Sequence, residues 1–219
     1  MRFLQKSRVR LGMAFSFLFI SLSFFSCADN EADVVQASGT MIFDFKDNES
    51  LPDVRLAVFL QVTNDVQRTE SFTISHEKSG YFWNVSNPGI FTGMNKKYAF
   101  SLNLTAPEGS EIPKGTYRVK YFDAAGKDDE ISFSVNYDEK LLKSNAQNFR
   151  DTLTNSNENL ALYDDSGELL FMGKAKNTWK SNDAILKDYR VAKTKRLCYV
   201  TPGNAVICMM PEEKLQTEN

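Results

Sequence analysis

"PKGTYRVKYFDAAGKDDEISFSV", Pro113 to Val135, holds two runs of strict alternation about a short polar break. Tyr117, Val119 and Tyr121 share one side of an extended chain, with Arg118 and Lys120 on the other. After Asp123-Ala-Ala-Gly126, Ile131, Phe133 and Val135 repeat the pattern. A period of two puts successive side chains on opposite faces, so the stretch predicts a hairpin with one apolar and one wet face. A lone hairpin is at best marginally stable in water, so this one needs further strands to cover it.

Those strands can be read outward from it. Thr40 to Phe45, Val54 to Gln61, Thr69 to His76, Tyr81 to Ser86 and Tyr98 to Thr105 are short apolar or alternating runs, and with Thr116 to Phe122 and Glu130 to Tyr137 they make seven. In the run from Tyr98, the residues Tyr98, Phe100, Leu102 and Leu104 are expected to face the core. The separators carry Pro52, Gly80, Pro88-Gly89, Pro107 to Gly115 and Gly126, residues that favour turns. About a hundred residues of this kind predict an antiparallel two-layer sandwich over 39–137. The Pro-x-Gly-x-Tyr opening, the alternating strand and the Asp-x-x-Gly turn of Pro113 to Val135 resemble the closing hairpin of bacterial immunoglobulin-like domains. The resemblance implies an immunoglobulin-like β-sandwich and no specific function, since such sandwiches serve many.

Beyond Tyr137 the period changes, and 138–219 is expected to be a small α+β module, packed on the sandwich or continuous with it. Leu142, Ala146, Phe149 and Leu153 recur at helical spacing, which predicts an amphipathic helix over Asp138 to Leu153. A hairpin about Asp164-Asp-Ser-Gly167 follows, then a short helix capped by Ser181, then a hairpin turning at Pro202-Gly203-Asn204. A three-residue loop there sets Cys198 opposite Cys208. In an oxidising compartment that pair is expected to bridge, closing an eleven-residue loop worth about 3 kcal/mol. A slipped register leaves two buried, reduced thiols instead.

The N-terminus has its own pattern. Basic residues within Met1 to Arg10 precede an uncharged run, Leu11 to Phe25, of 15 residues, too short for a comfortable span and suited to a cleaved export signal, 1–26. Leu22, Phe24 and Phe25 before Ser26-Cys27 resemble the lipobox of bacterial lipoproteins, with Phe25 where a small residue is usual. The resemblance implies cleavage before Cys27, acylation of its sulfur, and a protein held by lipid on a membrane of the bacterial cell envelope, facing periplasm or exterior. Ser26-Cys27-Ala28 also satisfies the rule for an ordinary cut after Ala28. Acidic, small residues after Cys27 predict a flexible tether over 27–38.

Loss of residues 1–26 removes four basic residues and no acidic one. The balance moves from 26 basic against 28 acidic to 22 against 28, a net charge of −6. Such a chain has no electrostatic footprint for nucleic acid. His76 is the single histidine, and no metal-binding, nucleotide-binding or triad motif accompanies it, so no cofactor is expected. "YFWN", Tyr81 to Asn84, is the one stretch that suggests binding. Tyr81 and Trp83 share a face; exposed, they could stack on a sugar ring or anchor a partner protein, and buried, they would belong to the core. The sequence thus suggests a non-catalytic, lipid-anchored protein that presents a surface to a protein or glycan. The alternative is a carboxylate-based glycan hydrolase drawing on acidic pairs such as Asp128 and Asp164.

Overall fold

The computed structural model describes residues 33–216 apart from 64, 94, 109 and 154; Cys27 and the segment 1–26, expected to be an export signal, lie outside the described residues. The strands are β1 (Val34–Asp44), β2 (Asp53–Val62), β3 (Thr69–His76), β4 (Phe82–Val85), β5 (Gly89–Gly93), β6 (Lys96–Leu104), β7 (Gly115–Asp123), β8 (Asp128–Val135), β9 (Asn157–Tyr163), β10 (Leu169–Gly173), β11 (Thr194–Val200), β12 (Val206–Met209) and β13 (Glu213–Lys214). Among the described residues one α-helix, α1 (Asn182–Asp188), precedes β11. Among the described residues the protein is mainly β. A four-stranded sheet, β4-β3-β7-β8, faces a nine-stranded sheet, β10-β9-β11-β12-β1-β2-β6-β5, in which β13 extends β11.

The opening stretch folds as its alternation predicts. Tyr117 pairs with Phe133 and Val119 with Ile131, and Tyr117, Val119, Tyr121, Phe133 and Val135 are buried. They meet Met41 and Phe43 of β1 and Leu56, Val58 and Leu60 of β2 in one core. The sheets approach so closely at Gly39 that a Cβ there would stand 2.3 Å from the Phe133 ring.

The nine-stranded sheet runs without a break across the boundary expected at Tyr137. β1 pairs with β12 in parallel, Met41 beside Val206 and Phe43 beside Cys208, and the described residues form one compact unit. Leu141, Phe149, Tyr199, Val206, Cys208 and Met210 belong to the same core as the sandwich. A second cluster, with Leu160, Leu162, Trp179 and Ile185, lies where α1 covers β9 and β10.

Four expectations need correction. Residues 34–38, expected in a flexible tether, belong to β1, which begins at Val34. In β6 the face is inverted: Ala99 and Leu104 are buried, whereas Leu102 is 48% exposed. A bulge explains how both can hold, since Leu56 pairs with Leu104 but Val58 with Ser101, so three steps of β6 match two of β2. The segment expected to be one helix makes two 3-10 turns, Glu139–Lys143 and Phe149–Asp151. Its polar residues divert the backbone: Ser144 Oγ donates to the Lys140 carbonyl, while Asn145 Oδ1 accepts from the amides of Gln147 and Asn148. Finally, Cys198 and Cys208 are both free and buried. The last hairpin has a four-residue loop, closed by Thr201 N donating to the Val206 carbonyl at 3.0 Å and Val206 N to Thr201 Oγ1 at 2.9 Å. Cys198 therefore pairs with Met209, and Tyr199 with Cys208. Neighbours on a strand point to opposite faces, so the two thiols are on opposite sides of the sheet.

On the face away from the cores, Arg196 fills the corner where β12 ends. Its Nε donates to the Met210 carbonyl at 2.6 Å and its Nη2 to Asp44 Oδ1 at 2.5 Å. Lys46 and Arg55 each reach Asp44 Oδ2 at 2.8 Å. Burial opposes ionisation of Asp44, but the hydrogen bonds from Arg196, Lys46 and Arg55 prevail and hold its carboxyl far below the usual carboxylate range.

Candidate functional site: an aromatic groove at the edge of the small sheet

The turn between β3 and β4 is built around the single histidine. His76 N donates to the Tyr81 carbonyl at 2.9 Å. The ring Nδ1 accepts from Ser79 N at 3.1 Å and lies 2.7 Å from Ser79 Oγ, while Nε2 is 3.1 Å from the Lys114 carbonyl. This network assigns the proton to Nε2, where it donates to that carbonyl. Gly115, at φ +135°, lets the imidazole approach, because a Cβ there would sit 2.7 Å from Nε2. The serine amide and hydroxyl both converge on Nδ1, and the contact closes the turn.

That turn delivers Tyr81, Phe82 and Trp83 to the free edge of the sheet. Trp83 is pinned by its Nε1, which donates to the Thr105 carbonyl at 2.9 Å. Its ring stands 5.6 Å from Tyr81 and 6.0 Å from Tyr117. Trp83 also packs against the main core. Phe82 points the other way and is 61% exposed. Together with Ser79, Gly80 and the segment Thr105 to Pro107, these residues line an open groove of about 630 Å³. Among the described residues no charged side chain lines it. The Tyr81 hydroxyl is buried with no hydrogen-bond partner among the described residues. Behind Trp83, the buried Tyr117 has its phenol pKa raised by burial, and its hydroxyl donates to the Pro113 carbonyl at 2.6 Å.

Tyr81 and Trp83 are therefore brought together, half-buried, with Phe82 the more exposed ring. Alternation identified the pair; the contribution of Thr105 to Pro107 was not legible, because 22 residues separate Trp83 from its acceptor. Sequence reasoning also missed a polar cleft on β9 and β11. There Tyr199 Oη donates to Glu158 at 2.9 Å, and the Arg150 guanidinium bonds Glu158 at 3.0 Å and the Tyr199 hydroxyl while lying over the Tyr199 ring. These groups satisfy one another, leaving no donor set directed at a ligand.

The acidic residues considered for hydrolysis are in separate settings. Asp128 pairs with Lys120 at 2.8 Å on the four-stranded sheet. Asp164 closes the β9–β10 turn, accepting from Ser166 and Glu168, and those hydrogen bonds lower its pKa. Neither lines the aromatic groove. Among the described residues, no three His, Cys, Asp or Glu side chains gather as a metal site would require.

No family model matches this chain, and no curated protein does either. The groove is accordingly interpreted from its own geometry.

Proposed function

We propose that this protein is a non-catalytic binding protein of the bacterial cell envelope, held by lipid at Cys27, whose aromatic groove takes a neutral glycan chain. The observation that carries this reading is the groove's place along β6. Val34, where the tether enters, pairs with Val62, and Val62 with Lys97 at the start of β6. Trp83 bonds Thr105, just past the other end of that strand, about 26 Å further at the usual rise of about 3.3 Å per residue. A groove at the end remote from the tether is open to ligands beyond the membrane. Its uncharged lining and exposed aromatic face suit a sugar ring, which stacks its apolar C–H face on an aromatic while its hydroxyls find backbone partners. The immunoglobulin-like character of the sandwich belongs to the same proposal, supported by the β7–β8 hairpin.

Titrating exported Cys27→Ser protein with N-acetylglucosamine oligomers should change its tryptophan emission, and Phe82→Ala, at an exposed ring that leaves the Trp83 reporter in place, should abolish the response without lowering the melting temperature greatly. Silence with oligomers, together with saturable binding of one envelope protein lost in Phe82→Ala, would reassign the groove to a protein ligand. Intact-mass analysis of membrane-extracted protein tests the anchor separately. It should show loss of residues 1–26 and a diacylglyceryl addition, whereas an unmodified chain starting at Asp29 would mean an ordinary signal-peptide cut.

A further inference from the structure

The nine-stranded sheet has one face in the two cores, and at the corner β2-β6-β5 its other face carries large apolar side chains. Phe59 and Phe100 pair across the strands with rings 5.8 Å apart. Tyr98 pairs with Phe91 in the next row. Phe91 and Leu102 are 56% and 48% exposed. None of these five residues belongs to either core cluster. Their neighbours on this face are uncharged: Ser38 lies opposite Phe59, and Gln36 opposite Gln61. At this end Asp128 and Asp129 stand on β8 of the other sheet, and Asp33 and Asp65 lie in the chain just before β1 and just after β2, outside the patch. Lys96, the first residue of β6 beside the patch, is exposed.

We propose that this aromatic face rests on the bilayer that holds the lipid anchor; the inference depends on the anchoring of Cys27 proposed above. Seven residue steps separate Cys27 from Val34, so even a fully extended tether spans at most about 25 Å. β5 lies three strands from β1, about 14 Å away at the usual strand spacing. The tether therefore holds the patch at high effective concentration against the membrane. Aromatic rings settle in the headgroup region, and a lysine can extend its ammonium to the phosphates beside them. Docked in this way, the four-stranded sheet, which packs on the opposite face, is turned away from the lipid, and the aromatic groove is turned away with it.

The test uses lipidated protein in phosphatidylcholine–phosphatidylglycerol vesicles with and without brominated acyl chains. The indole introduced by Phe91→Trp should shift to the blue and lose most of its emission to bromine. One introduced by Leu51→Trp, 62% exposed in the β1–β2 turn at the far end of the sheet, should keep its emission. If Phe91→Trp does not fold, Tyr98→Trp serves the same purpose. Protein that floats with the vesicles while neither docking-face indole is quenched overturns the docking and leaves the anchor intact. Equal quenching of the Leu51→Trp indole overturns it too. Protein that fails to float removes the anchor and the docking together.

Discussion

Asp44 keeps its charge in a nearly dry place because three cations reach it, and Arg196 is the most buried of them. Arg196→Leu leaves Asp44 with Lys46 and Arg55 and strips the Met210 carbonyl of its donor, so it should cost about 1–3 kcal/mol, the range for a buried polar group left unsatisfied, by urea unfolding at pH 7. The pH dependence follows from the direction of the Asp44 shift. A carboxyl whose pKa is lower folded than unfolded adds stability above the unfolded value, about 4, and loses it as pH falls toward the folded value. The stability difference between wild type and Asp44→Asn should therefore be largest at neutral pH and narrow below pH 4. A constant gap would show that the hydrogen-bond geometry matters rather than the charge. The thiols give a second prediction at this scale. Burial pushes Cys198 up to about 11 and Cys208 up to about 12, so at pH 8 neither should react with iodoacetamide while the protein is folded. After unfolding without reductant both should be alkylated, and a disulfide-linked peptide pair would contradict the four-residue loop.

At the scale of elements, hairpins whose turn chemistry and alternation agree were legible, and elements decided by tertiary contacts were not. The β7–β8 hairpin, the β9–β10 turn at Asp164 and the helix capped by Ser181 all form where the sequence places them. In β6, alternation defined two faces without saying which was inward, and the bulge then moved Leu104 to the side opposite Leu102. Between Asp138 and Leu153 the apolar spacing correctly marked residues that touch the core, yet serine and asparagine side chains satisfied the backbone locally and no α-helix formed. The last hairpin differed by a single loop residue, enough to separate two cysteines by a sheet. Close packing between elements was equally hidden, and Gly39 is the clearest case. Gly39→Val should destabilise by about 1–3 kcal/mol through overpacking against Phe133. Shortening the obstacle with Phe133→Leu should restore part of the loss, so the double variant should be more stable than the sum of the two single changes predicts. Strict additivity in denaturant titrations would indicate that the sheets separate freely at that point.

The whole molecule is organised by one long sheet that both halves of the chain must complete. A sequence reading gives 39–137 its own strands, turns and core, and so expects it to fold alone. The strand order argues otherwise, since β1 occupies an interior position between β2 and β12. Ending the chain at Tyr137 removes β12 and leaves the edge of β1 unpaired from Met41 to Asp44. It also uncovers Phe43, which loses its strand neighbour Cys208, and Phe45, which meets Phe149, because Leu141, Phe149, Tyr199, Val206, Cys208 and Met210 leave the core with the deleted segment. Asp44 would keep Lys46 and Arg55 but lose Arg196. Each large apolar side chain withdrawn from a core costs about 2–5 kcal/mol, and whole domains are stable by only about 5–15 kcal/mol. A chain ending at Tyr137 should therefore melt without a cooperative transition and aggregate through the bare β1 edge, while the full chain after residue 27 should unfold in one step. Calorimetry of the two, with hydrogen exchange at Met41 to Phe45 as the local probe, separates the cases: protected amides and a sharp transition in the truncated chain would mean that the small sheet and β1-β2-β6 suffice, and that the sheet's continuity is dispensable.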